Sequence, residues 1–447
     1  MKLFSRLLMA SALFMPVHHA ASQIPFAVSA VLTNGTTIRS VTTMDVNNDG
    51  KPDMICVRAT ASFVYVWTNN GNGLLVSNTS YATGSHPNQV IAADVNNDGK
   101  LDLITANIGN SLTVLTNDAN GGFALASTLP LPASTQPLSV AAGDLNGDGR
   151  PDLVSANSLL ATFTEWTNSG GGIFVSNTSF SVGSPGFTVP QWVATADVNG
   201  DGKGDIIGVC NNSDIYYLHI WTNNGAGGFA PAPAPFPVSV SGYLCVVPTD
   251  VNGDGKVDLV LIASETSGTG VMVMLNNGAG GFGIAGFYPV GLTPYAVVPA
   301  DVNGDGSVDF ITPNQGNNTL TVLTNDGTGV LGSNTTVNVG SGPESAAAAD
   351  LNGDGRMDLI AGNWNTGTLT VVTNAGTFLP RLTLKYSGNN VIVSWPAVWA
   401  NWSLQENTGL APDGWTGFGG GVGNDGTIKR ATNSAPAGNL FFRLSNP

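Results

Sequence analysis

Basic side chains are scarce in this sequence. Lys and Arg total 15 against 30 Asp and Glu, the net charge is -15, and only 10% of the 447 residues are charged. So acidic a chain repels a polyanion, which excludes DNA or RNA as its partner. Cysteine is almost missing: three residues cannot build a disulfide framework. Of the four His, two (His18 and His19) fall within the first 22 residues, leaving His86 and His219 far apart. No His/Cys metal cluster, nucleophile elbow or Gly-rich phosphate loop is present. No apolar run reaches the ~18 residues that span a bilayer, so no membrane span is expected. Helical periodicity is absent after residue 22. The excess lies in Gly, with 58 residues, and in hydrophobic residues, at 42%, enough for a large core.

The N-terminus has a different character. Lys2 and Arg6 precede an apolar stretch from Leu7 to Val17, and Ala20, Ala21 and Ser22 supply small residues. This is the pattern of an export signal over residues 1–22. The mature protein is expected to be secreted, periplasmic or held at the cell surface, and to act as a monomer.

The rest of the chain repeats itself. A nine-residue string, DVNNDGKPD in its first copy, recurs seven times, beginning at Asp45, Asp94, Asp144, Asp197, Asp250, Asp301 and Asp350. A period near 50 residues marks a supersecondary unit stacked on copies of itself. Each unit reads as four short runs bounded by Gly, Asn and Asp, such as "SVAAG" (139–143), "LVSAN" (153–157) and "LTVLTN" (112–117), and these are strands. Four strands in each of seven units predict an all-β, seven-bladed β-propeller over residues 23–379. The seventh unit lacks a fourth run. "IPFAVSAVLTNG" (24–35) resembles one, so the N-terminal strand is expected to complete the last blade and leave no sheet edge open.

The string carries its own chemistry. Besides the first-place Asp, it places Asn47, Asn96, Asn146, Asn199, Asn252, Asn303 and Asn352 third. Asp49, Asp98, Asp148, Asp201, Asp254, Asp305 and Asp354 stand fifth. Asp53, Asp102, Asp152, Asp205, Asp258, Asp309 and Asp358 stand ninth. The sixth place is always Gly, which permits a positive φ. The seventh place offers a backbone carbonyl, its side chain free to point outward: Lys51, Lys100, Arg150, Lys203, Lys256, Ser307 and Arg356. Oxygen donors on a tight turn suit calcium, and the expectation is up to seven ions. Seven loops with three Asp each hold 21 of the 30 acidic residues, so bound divalent ions would relieve the crowding of charge. An EF-hand is excluded, because the twelfth place holds Cys56, Thr105, Ser155, Gly208, Leu261, Thr312 and Ala361 rather than Glu.

String, period and copy number together resemble the FG-GAP/VCBS-type repeat of integrin-α-like propellers, over residues 24 to about 379. The literal "FG" and "GAP" signatures are mostly lacking. The resemblance implies calcium loops joining strands one and two on the bottom face, and ligands met on the top.

If the loops lie at the bottom, the links before each first strand lie on top. Pro87, Pro137, Pro190, Pro294 and Pro343 recur seven places before the loop Asp. The following place varies: Arg39, Asn88, Leu138, Gln191, Leu244, Tyr295 and Glu344, with Trp192 after Gln191. Changing side chains on a fixed frame are how a binding face is built, although Pro also simply ends a link. Glu165 stands where other units carry Val66, Val114, Ile220, Val273, Val322 or Val371. It reads either as a buried carboxylate with a role or as a residue facing solvent at an outer edge. Cys56, Cys210 and Cys245 sit in apolar runs as small hydrophobes; Cys210 and Cys245 fall at equal height on adjacent units, which leaves a bridge open.

Residues 380–447 lack the string. "LTLKYSGNNVIVSWPA" (382–397) reads as two strands, and the region resembles a small fibronectin-like β-sandwich. Trp395, Trp399, Trp402 and Trp415 concentrate here, as a packed core or as platforms for sugar rings. The function these features favour is a calcium-binding module that adheres to an extracellular protein or carbohydrate. The rivals are a glycan-binding lectin and a polysaccharide-active enzyme such as a lyase.

Overall fold

The computed structural model describes residues 24–376 apart from 34, 36, 184–187, 213–214, 226–227, 232–235, 239–244 and 266–267, and then 382–387, 390–396, 403–407, 415–424, 428–434 and 441–445. The expected export signal at 1–22 lies outside the described residues, as do Leu244, Trp399 and Trp402. Among the described residues every regular element is a strand. No helix is long and apolar enough to cross a membrane.

Each repeat folds into one antiparallel sheet. In the first, Ile38–Met44, Asp53–Arg58, Phe63–Asn69 and Leu75–Ala82 pair in chain order. Among the described residues of Gln23–Gly376 there are seven such sheets, numbered here in chain order: 38–82, 87–130, 137–181, 188–231, 246–289, 298–338 and 343–374. The fourth carries Phe236–Pro237 in addition. The last takes its fourth strand from the N-terminus: Phe26–Thr33 runs antiparallel to Thr368–Asn374, with Phe26 opposite Asn374.

Apolar clusters join each sheet to the next. Val66 and Ile55 of sheet 1 meet Val90 and Leu103 of sheet 2. Val114 of sheet 2 meets Val140 and Trp166 of sheet 3. Phe163 of sheet 3 packs with Val193 and Trp221 of sheet 4. One larger cluster binds sheet 5 to both neighbours, another joins sheets 6 and 7, and Ile360 and Val371 of sheet 7 close on Ile38 and Met54 of sheet 1. The circuit therefore returns to its start. Strands inside it have neighbours on both faces, which is why Asp102–Asn107 is buried at every position while the outermost strand Phe123–Pro130 is largely exposed.

The chain from Thr377 onward belongs to a second unit, three residues earlier than the boundary expected from the string. Its described strands form two sheets, one of Thr383–Ser387, Asn390–Pro396, Ile428–Ser434 and Val422–Asn424, the other of Thr416–Gly417, Ser403–Asn407 and Phe441–Ser445. Val393, Trp395 and Ala431 of one sheet share a cluster with Leu404, Phe442 and Leu444 of the other. Trp395 is thus a core residue, while Trp415 is half-buried.

Candidate functional site

Two constellations stand at opposite ends of the innermost strands. Each strand leaves the variable place and reaches its acidic loop six residues later, about 20 Å at ~3.3 Å per residue.

The seven loops share one conformation. The sixth-place Gly has positive φ in all seven, from Gly50 at 79° to Gly306 at 86°. The fourth place is left-handed as well, in Asn48, Asn97, Gly147, Gly200, Gly253, Gly304 and Gly353. Its restriction to Gly and Asn was a legible signal that the nine-place reading passed over. In the first loop, Asp45 accepts N–H groups from Asp49 (3.1 Å) and Gly50 (2.7 Å), Asn47 Oδ1 accepts from Asp49 (3.1 Å), and Asp49 Oδ1 accepts from Lys51 (3.0 Å). The first, third and fifth side chains are thereby wrapped around a single turn.

The ninth Asp is aimed differently. Asp53 is fully buried, with Oδ2 accepting the Val46 N–H at 2.9 Å and Oδ1 the Asn69 N–H at 2.7 Å. The same pair of bonds recurs in all seven sheets. Burial pushes all seven of these carboxyls up from their ordinary value against the pull of the two N–H groups, Asp309 to about 7 and Asp358 to about 6.

The seventh-place side chains do not simply point outward, as expected. In five loops they fold back on the fifth-place carboxylate: Lys100 on Asp98, Arg150 on Asp148, Lys203 on Asp201, Lys256 on Asp254 and Arg356 on Asp354. The nearest cation settles on an exposed carboxylate, a contact worth at most ~1 kcal/mol. Among the described residues, no three His, Cys, Asp or Glu side chains are drawn together as a finished metal centre. The donors nevertheless fit a hard cation: they are all oxygens, they sit on a turn whose backbone is already left-handed where it must be, and each hydrogen-bonded carboxylate oxygen keeps a further lone pair.

In six of the seven sheets an Asn at the end of the third strand ties loop to loop. Asn223 Nδ2 donates to Leu145 O in the loop of sheet 3 at 2.6 Å and to Gly204 O in its own loop at 2.8 Å, and its Oδ1 accepts from Gly225 N–H at 2.8 Å. Asn69, Asn168, Asn276, Asn325 and Asn374 reach the preceding sheet in the same way. Asn69 does so across the seam between sheets 1 and 7, by bonding Leu351 O at 2.8 Å. The recurring Asn was visible in the sequence but resembled ordinary turn chemistry. Asn223→Ala removes three bonds at a buried position, so a loss of ~1–3 kcal/mol is expected in urea unfolding. A change within error would show that this tie contributes nothing.

At the other end, the variable place is a β-bulge. The register of the innermost strand skips Arg39, Asn88, Leu138, Gln191 and Glu344 in sheets 1, 2, 3, 4 and 7. A bulge leaves its extra residue unpaired and re-aims its side chain. These five and Tyr295 line one cavity of about 600 Å³, open mouth included. The other lining residues (Ser40, Gln89, Trp192, Ala296 and Ser345) occupy the next place in the repeat. Convergence on the ring axis is what a binding face built from the variable place required.

A continuous network spans the cavity. Arg39 Nη1 meets Glu344 Oε2 at 2.6 Å, and Arg39 Nε donates to Asn88 Oδ1 at 2.8 Å. Asn88 Nδ2 donates to Leu138 O at 2.6 Å, and Gln315 Nε2 to Glu344 Oε1 at 2.7 Å. The Arg39 guanidinium lies 5.7 Å from the Tyr295 ring centroid and 5.1 Å from that of Trp364. Burial pushes the Glu344 carboxyl up, while Arg39, Gln315 and Tyr295 pull it down. Gln315 and Trp364 were not singled out beforehand. Both follow the Asn that ends a second strand, a place that varies as Ile108, Ser158, Gln315 and Trp364.

Below the bulges, backbone N–H groups are capped from the neighbouring sheet. Ser40 Oγ accepts from Val90 (3.3 Å), Gln89 Oε1 from Val140 (2.7 Å), Ser139 Oγ from Val193 (3.2 Å) and Cys245 Sγ from Val297 (3.0 Å). This overturns the possible Cys210–Cys245 bridge: all three cysteines are free and buried. Cys245 faces sheet 5's neighbour, sheet 6, whereas Cys210 packs into the cluster shared with sheet 3. Burial pushes both thiols up, Cys245 to about 12. Glu165 is fully buried, so its solvent-facing reading is also corrected. His219 stacks on Trp221 at 5.4 Å, and burial lowers its pKa.

The FG-GAP-like repeat family matches residues 45–105, 94–155, 197–261, 250–312 and 301–361, and all seven strings fall inside these spans. Two solved structures share the fold, both crystal structures of BBS1N in complex with ARL6DN, one soaked with lead and one with mercury. Their TM-scores are 0.54 and 0.53 at 11% identity, covering 79% of this chain and 98% and 97% of theirs. At that identity the likeness is one of fold, a β-propeller. No curated protein matches the sequence.

Proposed function

We propose, from the premise that this chain belongs to the FG-GAP-like repeat family, that it is an exported binding module. It would present one ligand site at the axis of a calcium-stiffened, seven-bladed propeller. The observation that carries this reading is the convergence of bulged, non-repeating side chains on one cavity, remote from the repeating loops. A frame that repeats and a pocket that does not is the division between scaffold and recognition. The BBS1N propeller, which was crystallised in complex with ARL6DN, is a precedent for binding on this fold.

Calcium would be held by the first, third and fifth side chains and the seventh carbonyl of each loop, with the ninth carboxylate behind them. When bound it supplies positive charge among three carboxylates and a cross-link between the first two strands of a sheet. The N-terminal charge and apolar pattern supports export.

The test is retention of ligand by immobilised full-length protein in millimolar calcium, against arrays of glycans and soluble extracellular proteins. A retained ligand is expected, and Tyr295→Ala is expected to weaken it at least tenfold. Retention indifferent to axial substitutions would overturn this reading.

A further inference from the structure

We infer that the axial cavity receives an uncharged saccharide, one sugar ring entering from the open mouth. This rests on the binding-module reading and narrows it.

Charge is the first argument. The lining contains one cation and one anion, Arg39 and Glu344, locked together at 2.6 Å. The cavity is therefore neutral. A phosphate, sulfate or uronate would have to break the pair to gain a cation. A cationic ligand would likewise compete with Arg39 for a carboxylate that is 3% exposed.

The surfaces are the second. Trp192 and Tyr295 are half-buried on the cavity wall, each an apolar face with a polar edge, and both stand among planar carboxamides, Gln191 and Asn88. A sugar ring has the matching form, with C–H groups on its faces and hydroxyls around its rim.

Preorganisation is the third. Asn88, Arg39, Glu344 and Gln315 already hold one another, so little side-chain freedom remains to be lost on binding. An extended peptide fits less well. It binds by pairing its main chain with free strand edges, and here the nearby N–H groups of Val90, Val140, Val193 and Val297 are already capped.

The experiment is calorimetric titration of the full chain in calcium with methyl glycosides of neutral hexoses and N-acetylhexosamines and their short oligomers. Oligogalacturonate and glucosamine serve as charged probes. At least one neutral glycoside is expected to bind, at least tenfold more weakly to Trp192→Ala. Trp415→Ala in the C-terminal unit is expected to bind as the wild type does. Gln191→Ala replaces Trp192→Ala should the latter fail to fold. Binding of charged probes alone overturns the inference. So does neutral binding that survives the axial variants and falls with Trp415→Ala. If no saccharide binds but a defined protein is retained through Tyr295, the saccharide inference fails and the module reading stands; if nothing is retained, both fail.

Discussion

Replacing Arg39 by methionine is expected to destabilise the protein by about 3–5 kcal/mol. The Glu344 carboxylate is 3% exposed and Arg39 is its only ionic partner among the described ion pairs. Gln315 and Tyr295 would remain, but neutral donors do not replace a cation in a desolvated site. The variant should respond to pH in a defined direction. With Arg39 gone, burial is opposed only by the neutral donors Gln315 and Tyr295, and the folded pKa of Glu344 rises further above the ordinary 4.5. A carboxyl with a raised folded pKa costs stability above that value, and the cost fades as pH falls toward its unfolded value. The deficit of Arg39→Met should therefore shrink as the buffer is taken from pH 8 toward 5. The double variant Arg39→Met/Glu344→Leu removes both charges and should recover most of the loss, since a buried pair is worth little against well-packed apolar groups. Urea unfolding checks all three, and a single-variant loss below about 1 kcal/mol would remove the pair from any account of the closing seam.

Removal of calcium is expected to have the larger effect. An ion present at 100 times its Kd stabilises by about 2.7 kcal/mol per site. Two or three such sites already rival the ~5–15 kcal/mol of an ordinary domain. Excess chelator should lower Tm by roughly 10 °C or more. Asp148→Ala should lower Tm in calcium and change little in chelator; equal losses in both would contradict ligation at that loop. The chelated protein should also gain stability as pH falls from about 7 toward 4. Asp309 titrates near 7 in the fold against an ordinary 3.8, so its ionised form is the one that costs. In calcium the trend reverses, because protons then compete with the ion.

Much of this architecture was legible from residue spacing. The seven strings set the number of sheets, the Gly-bounded runs set their strands, and "IPFAVSAVLTNG" identified the closing strand. The variable place was legible too, because six of its residues do share one cavity. The reason they turn inward was hidden: a bulge is a property of pairing, and register is not written in one strand alone. Glu165 was misjudged as possibly solvent-facing because alternation names two faces without saying what covers them. In Thr162–Asn168 neighbouring sheets cover both. Cys210 and Cys245 share a height but face opposite neighbours, which spacing along the chain does not reveal. The ninth-place Asp looked like its fellows in the string, yet one of its oxygens is held by the N–H of the loop's own second place and the other by the N–H of the Asn that ends the third strand.

The two ends of the repeat unit meet in one ladder, where Phe26 opposes Asn374 and Ala375 N–H reaches Pro25 O at 2.9 Å. Where the polypeptide begins on this circle is therefore a matter of history rather than of mechanics. Joining residue 376 to residue 24 through a short linker and cutting instead at an exposed turn, such as 133–134 between sheets 2 and 3, yields a circular permutant with the same set of neighbours, and nature or an engineer is free to move the termini to whichever face must carry a fused domain.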